Sequence, residues 1–508
     1  MTFPTPKITL TFLLTLGLLS GCGEKFLDVT PKDTVTTENF YRNEADAIQA
    51  TNAVYAQLNR GGQYNYALWG IGEIMSDNSF TGGGGGGDGT EEIQLDMFNI
   101  PTNNLMVGRL WGGCYVGIGS CNLVLQRVPG ILNMTEGIRK RCLGEAQFMR
   151  AKYYFDLVRA FGDVPLILTP ANSPAEARAI TRKPTAQVYA QIVADLQEAI
   201  GNLPDTHGGA DLGRATKGAA TGLLAKVYLT QGNLPLAAQR AKEVIDSKRY
   251  SLWTAYGDNF KVANENGTES LFEVQVVNGL NEYTFDGLGF VGNEFFGPRG
   301  QGLVPQGGYG FNIPEKEFVD GYETGDRRRD VTIWKPGDAY PAGSATASQP
   351  ASLPGSPFGY NCKKWFVGKV STFVWDSPLN FPVLRLSEMY LILAEAAGPT
   401  PEGLKAVNMV RRRAFNEDFQ LDAAGNLAIP SLPHDFVANT PNFAAAVQRE
   451  RRYELAFEDD RWFDLKRQGK LLTNPALLAK GIKPNNMVLP IPQAERDANP
   501  SLTQNDGY

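Results

Sequence analysis

Apolar residues recur at helical intervals in several separate parts of the chain. In the first part, Phe40, Ala47, Val54 and Leu58 are spaced as on one face of a helix, which predicts a helix over 38–58. The same spacing predicts helices over 145–159, 188–200, 217–230, 234–247, 384–397, 403–415 and 443–467. The pattern therefore predicts a mostly α fold, with helical hairpins mainly within 38–60, 140–250 and 384–467.

Two of these helices form a hairpin of recognisable type. The segments 217–230 and 234–247 are both amphipathic and are separated by Gly232-Asn233, which breaks the first helix. Small residues on the facing sides are typical of a tetratricopeptide-like hairpin. Since neither helix can bury its apolar stripe alone, we expect the hairpin to stack on neighbouring helices.

Helical periodicity is absent from 61–110 and from 250–381. These segments are rich in glycine, asparagine and aromatic residues, and the second contains short β-like runs at Leu271–Val277 and Trp365–Val370. Connections this long are usually functional. We therefore expect a single composite body over 38–508, with an irregular, loop-rich, ligand-facing region packed against the helices.

The N-terminus has the three parts of a bacterial export signal. Lys7 lies before an apolar run from Ile8 to Leu19, which ends in the lipobox Leu19-Ser20-Gly21-Cys22. The run is too short for the roughly 20 residues that span a bilayer. We predict that 1–21 is a signal peptide, that Cys22 carries lipid, and that 22–37 is an extended leader holding the body at the membrane surface.

Charge and cysteine content narrow the possible partners. The formal net charge is −6, which argues against nucleic acid because phosphate binding requires a basic face. The cysteines Cys114, Cys121, Cys142 and Cys362 allow three disulfide connectivities, and the sequence does not choose among them. With only two histidines in the chain we expect no zinc site, and we expect buried cysteines or at most one disulfide.

The sequence shows no catalytic constellation. It contains no G-x-S-x-G motif, and Asp459-Asp460 lies in a charged segment where a structural ion-pair network is the better interpretation than glycoside hydrolysis. Arg451 with Glu454, and Glu458 with Arg461, have the i,i+3 spacing that stabilises a helix. A single glycine-rich run before Asp88 resembles one calcium-binding nonapeptide, but one copy is weak support. We expect no cofactor other than the covalent lipid on Cys22.

Two irregular loops carry the residue types that bind sugars. A sugar ring presents a flat apolar face bordered by hydroxyl groups, so aromatic rings and polar side chains suit it. The candidate ligand-binding residues are Tyr66, Trp69, Asp77 and Asn78 in the first loop and Tyr283, Phe290, Phe295, Phe296 and Tyr309 in the second. A single ring in such a loop more often packs beneath the loop than contacts a ligand. The prediction therefore concerns the cluster as a whole.

Several long blocks of the chain, in order, resemble the SusD/RagB family of outer-membrane lipoproteins of Bacteroidota. The blocks are Phe26-Leu27-Asp28 with Pro31, Phe161-Gly162-Asp163-Val164-Pro165, Leu384–Leu391 with Ala394-Glu395-Ala396, Arg449–Glu458 with Arg461–Leu465, Pro490-Ile491-Pro492, Asn499-Pro500 and Gln504-Asn505.

The resemblance implies a helical body with tetratricopeptide-like hairpins on one side and a loop-rich ligand side on the other. It also implies a lipid-anchored protein at the cell surface, which lies over a SusC-like TonB-dependent transporter and delivers a nutrient glycan or peptide to it without catalysis. Two alternatives remain open from the residues: an anchored glycoside hydrolase, and a purely structural or peptide-binding transporter lid. The ligand is not identified by the sequence.

Overall fold

The computed structural model of the chain describes residues 40–85, 87–171, 173–280, 283–369 and 375–508. The predicted signal peptide 1–21, the predicted lipid acceptor Cys22 and the predicted leader 22–37 lie outside these residues. Within the described part, no helix combines the length and the apolar character needed to cross a bilayer.

The fold is mostly helical, as predicted. The α-helices are α1 (Glu44–Tyr55), α2 (Ala67–Trp69), α3 (Thr90–Asp96), α4 (Leu105–Arg127), α5 (Glu136–Phe161), α6 (Pro174–Arg178), α7 (Thr185–Asn202), α8 (Lys217–Thr230), α9 (Leu234–Asp246), α10 (Gly292–Phe295), α11 (Lys316–Asp320), α12 (Arg328–Thr332), α13 (Leu386–Ala397), α14 (Pro401–Ala414), α15 (Phe443–Glu454), α16 (Arg461–Arg467), α17 (Pro475–Lys480) and α18 (Gln493–Ala498). A π-helix spans Gly70–Ile74, directly after α2.

Short antiparallel strand pairs join the irregular segments. The strands are β1 (Ser79–Gly82), β2 (Val164–Pro165), β3 (Arg182–Lys183), β4 (Ser270–Val274), β5 (Phe311–Pro314), β6 (Ile333–Trp334), β7 (Asn361–Cys362) and β8 (Phe381–Arg385). They pair as β1–β5, β2–β3, β4–β8 and β6–β7. The run Leu271–Val277 is thus confirmed as a strand over most of its length, whereas Trp365–Val370 is not a strand in its described part.

The predicted hairpin is α8 and α9. Gly232 adopts the left-handed conformation, with φ of 74°, that lets the chain reverse between them, and Asn233 caps α9 by accepting from the amide of Leu236. The hairpin packs onto α13, which in turn packs onto α14, while α5 packs between α4 and α7. Stacking on neighbours thus buries both stripes, as the pattern requires.

Two predictions about the long helices are wrong. The helix α4 begins inside the segment 61–110, which was predicted to be irregular. The glycines within α4 interrupt its pattern of apolar residues, so periodicity did not predict it. The predicted single helix over 443–467 is two helices, because the chain turns between Leu455 and Asp460, where Phe457 and Asp459 have φ of 61° and 62°. That break brings the charges of both helices into the interior.

A buried arginine–carboxylate network joins these broken helices to the strands β4 and β8. Its members are Arg328, Arg385, Arg413, Glu269, Glu454 and Glu458. Nη1 of Arg385 lies 3.0 Å from Glu269 Oε1 and 2.6 Å from Glu454 Oε1, and its Nε lies 2.8 Å from Glu458 Oε2. The predicted i,i+3 pairs within one helix are wrong, since Arg451 pairs with Glu388 and Arg461 pairs with Asp77.

Another buried acid, Glu73, lies on the π-helix outside this network. Glu73 is fully buried, and one of its oxygens accepts a hydrogen bond from Asn78 Nδ2 at 3.1 Å. Burial raises the pKa of Glu73 to about 8, and the nearby carboxylate of Glu458 adds to the effect. The acid is therefore protonated in the folded protein over a pH range in which it ionises in the unfolded chain.

We expect Arg385→Ala to lower the free energy of unfolding by about 3–5 kcal/mol, because it leaves three carboxylates buried without this partner. Urea unfolding at pH 7 measures the change. The control is Arg249→Ala, which breaks a half-exposed pair with Asp205 and is expected to cost less than about 1 kcal/mol. Equal losses in the two variants would contradict the role of the network.

We expect Glu73→Gln to change the pH dependence of stability. A raised pKa in the folded state means that the stability of the parent protein falls as pH rises from about 4.5 towards 8, by up to about 1.4 kcal/mol per pH unit for one group. The amide does not titrate, so the free energy of unfolding of the variant relative to that of the parent should increase as pH rises over this window. Thermal unfolding from pH 5 to pH 9 tests this, and a constant difference between the two proteins would refute it.

Candidate functional site

A stack of aromatic rings runs from the core to the surface of the irregular half. The ring of Tyr66 stacks on Phe285 with centroids 4.1 Å apart, Phe285 lies 4.6 Å from Trp375, and Trp375 stacks on Tyr283 at 4.4 Å with an interplanar angle of 22°. Tyr66 is 4% exposed and Tyr283 is 64% exposed. The stack thus ends in a ring that solvent reaches.

Tyr309 extends this surface with a second hydroxyl group. Its hydroxyl oxygen lies 3.4 Å from that of Tyr283, and its ring packs edge-on against Phe295. Partial burial, together with the hydrogen bond to Tyr283, raises the pKa of Tyr309 to about 12, so the hydroxyl keeps its proton at neutral pH. We call Tyr283, Phe285, Tyr309 and Trp375 the aromatic platform.

The polypeptide beneath the platform is fixed by hydrogen bonds. Asn65 is buried, its Nδ2 donates to the carbonyl of Gly289 at 2.8 Å, and its Oδ1 accepts from the amide of Val291. Phe290 and Ser377 exchange backbone hydrogen bonds, which ties the loop that carries Tyr283 to the segment that follows Trp375. The rings are therefore held in place before any ligand arrives, which limits the entropy that binding costs.

Most of the predicted aromatic residues lie beneath this surface and do not reach solvent. They are Tyr66, Trp69, Phe290, Phe295 and Phe296, each at most 6% exposed. Trp69 packs against Phe295, Phe296 and Phe311. These rings are buried because the loops fold back onto the same hydrophobic core as the helices. Tyr283 and Tyr309 are the predicted residues that remain accessible.

Asp77 and Asn78 hold the first loop to the C-terminal helices. Both oxygens of Asp77 accept from Arg461, at 2.7 and 2.9 Å, and Asn78 Oδ1 accepts from Arg452 Nε at 2.8 Å. Burial acts to raise the pKa of Asp77, but Arg461 and Arg452 hold it well below the usual range. Both predicted polar ligands are buried, and their oxygens are committed to protein partners.

The carboxylates considered for hydrolysis are also internal. Asp460 pairs with Arg159 at 2.5 Å, with Lys226 at 3.0 Å and with Arg451 at 3.3 Å, which confirms the predicted ion-pair network. Asp459 is buried, and its burial raises its pKa well above the usual range. Among the described residues, no group of His, Cys, Asp and Glu side chains is arranged to hold a metal ion. The four cysteines in this part of the chain are free and buried.

Sequence reasoning missed Trp375. It lies in the predicted irregular region, but neither periodicity nor a neighbouring aromatic run distinguishes it. Its contact with Tyr283, which is far away in the chain, arises because the Phe290–Ser377 bridge aligns the two segments. The aromatic density of 250–381 was the signal available, and it identified the region but not this residue.

Comparison with known families matches two parts of the chain. A model described as the SusD family matches residues 248–508, and a model described as starch-binding associating with outer membrane matches residues 25–229. A SusD-like protein P2 of Formosa agariphila is 28% identical over 99% of this chain and 100% of its own length. A SusD-like protein of Bacteroides ovatus is 28% identical over 90% of this chain and 82% of its own length.

Solved structures agree with these relatives. A laminarin-binding SusD-like protein superposes with a TM-score of 0.78 at 31% identity, covering 92% of this chain and 100% of its own. The surface glycan-binding protein A of Bacteroides thetaiotaomicron, in complex with laminarihexaose, superposes with a TM-score of 0.74 at 24% identity, covering 91% of this chain and 99% of its own. With the family model matching more than half of its length, this chain belongs to the SusD family.

Proposed function

We propose that this protein is a surface glycan-binding lipoprotein that captures an oligo- or polysaccharide outside the cell and passes it to a TonB-dependent transporter. The aromatic platform is the observation that carries the proposal. An exposed ring backed by a fixed stack, with tyrosine hydroxyls at its rim, offers a sugar an apolar face and hydrogen bonds at the same place.

The comparisons support the glycan as the ligand class. The similar structure at 31% identity is that of a laminarin-binding protein, and it covers nearly the whole chain. We therefore take laminarin, a neutral polysaccharide, as the first ligand to test.

The proposed lipid anchor and the proposed transporter partner rest on other observations. The lipobox ending at Cys22 supports a lipid anchor, and the matched description of outer-membrane association supports the location. The family resemblance supports a SusC-like transporter as the partner. Binding without catalysis is supported by the internal position of Asp459 and Asp460, which are only 6% and 7% exposed.

We expect Tyr283→Ala and Trp375→Ala each to weaken laminarihexaose binding about tenfold, because the first removes the exposed ring and the second removes the ring on which Tyr283 stacks. Isothermal titration calorimetry of the chain from residue 23 onward measures this. The control is Phe358→Ala, which removes a ring that is 47% exposed but lies outside the stack. Equal weakening in all three variants would contradict the assignment of the platform, and a parent protein that binds no glycan on a broad array would contradict the proposed function.

We expect Cys22→Ser to release the protein from the outer-membrane fraction, because the hydroxyl does not replace the thiol as the lipid acceptor. Cell fractionation and mass spectrometry of the mature N-terminus measure this. Ser20→Ala keeps a small residue before Cys22 and should remain anchored. A Cys22→Ser protein that stays acylated and membrane-bound would refute the lipobox assignment.

A further inference from the structure

An arginine–aspartate pair borders the platform on the side of Phe285. Arg109 Nη1 lies 3.4 Å from Asp286 Oδ1, and its guanidinium carbon lies 6.0 Å from the ring centroids of both Tyr66 and Phe285. Asp286 Oδ1 also accepts the amide hydrogen of Gly61 at 3.1 Å. The side chains of Arg109 and Asp286 are 32% and 49% exposed, so the pair faces solvent beside the rings.

A second pair of the same design borders the platform on the side of Tyr309. Arg299 Nη1 lies 2.8 Å from Asp88 Oδ2 and donates to the carbonyl oxygen of Tyr309, also at 2.8 Å. Asp88 Oδ2 accepts the amide hydrogen of Gly84 at 2.8 Å. The side chains of Arg299 and Asp88 are 32% and 40% exposed. In each pair, a backbone amide fixes the carboxylate and the carboxylate fixes the arginine.

We propose that these two pairs make the platform selective for uncharged glycans, with Asp286 and Asp88 as the specificity-determining residues. The proposal rests on the proposed function, since it names the class of glycan that the same platform takes. Arg109 and Arg299, which contact platform residues, are the groups that would otherwise bind a uronate or a sulfate. Here each of them is already paired with an aspartate.

The physical reason is that each of the two arginines already has an aspartate partner, which compensates its positive charge. A guanidinium binds carboxylate and sulfate groups strongly when its donors are free. An anionic sugar at this platform would have to displace Asp286 or Asp88, or lie near it. Two like charges about 4 Å apart repel by roughly 1 kcal/mol in water and about 4 kcal/mol near a protein surface.

A neutral sugar does not meet this repulsion. Its hydroxyl groups can donate to the aspartate oxygens and accept from the arginine N–H groups while each pair stays formed. The pairs then act as a polar rim around the aromatic surface, as in other carbohydrate-sized sites with an apolar floor and a few placed polar groups. The overall charge of −6 acts in the same direction on an approaching polyanion.

The test uses laminarihexaose as the neutral probe and an alginate hexasaccharide as the anionic probe, each titrated at low and at high salt. The parent protein should bind laminarihexaose with little salt dependence and should bind alginate at least about tenfold more weakly. Asp286→Asn, Asp88→Asn and the double variant free Arg109 and Arg299. Each single change should strengthen alginate binding about three- to tenfold at low salt, and high salt should remove the gain.

The matched control is Asp205→Asn. It frees Arg249 from a pair of similar exposure and a length of 2.7 Å, in which neither side chain contacts a platform residue. It should leave alginate binding at the parent level. Melting temperatures of all variants establish that each is folded, and asparagine keeps the oxygen that accepts from Gly61 or Gly84.

The outcomes separate this inference from the proposed function. A parent protein that binds alginate as tightly as laminarihexaose, or aspartate variants that gain no alginate binding, would overturn the inference while leaving glycan binding in place. An equal gain in Asp205→Asn would show a general charge effect and would also overturn it. A parent protein that binds neither probe nor any other glycan would refute the proposed function, and this inference with it.

Discussion

The fold depends on charges that are buried and paired across elements distant in the sequence. Arg385 at the end of β8 contacts carboxylates that come from before β4, from the end of α15 and from the turn after it. Removing a charge from water is costly unless its partners surround it, so these elements are strongly favoured in one relative arrangement. The break in the predicted long C-terminal helix is a consequence, because a continuous helix would carry Glu458 away from Arg385.

The same C-terminal segment also fixes the irregular half. Arg461 holds Asp77, Arg452 holds Asn78, and the indole nitrogen of Trp365 donates to the carbonyl oxygen of Phe457. A loop-rich region without long strands has few backbone hydrogen bonds of its own to define it. Side-chain bonds to the helical half supply that definition, and the aromatic platform is thereby presented on a rigid support.

The platform itself is the exposed end of an aromatic core. Most rings of the irregular half are buried, because burial of a large ring is the main favourable contribution that such loops can make to stability. Tyr283 stays outside because the rings of Trp375 and Phe285 already fill the space beneath it. Its exposure is maintained by packing, and the two arginine–aspartate pairs beside it give the rim its polarity without a free positive charge.

Periodicity determined most of the long helices, including the α8–α9 hairpin to within a residue, because an amphipathic stripe is a local property of the sequence. The blocks around 384–397 and 449–465 determined the family. Composition located the irregular, aromatic-rich region but could not separate Trp69 from Tyr283, since both are aromatic residues in glycine-rich loops. Only the tertiary structure decided that one is buried and the other exposed, that Trp375 joins the candidate site, and that Asp77 pairs with Arg461, because burial and pairing depend on contacts between segments far apart in the chain.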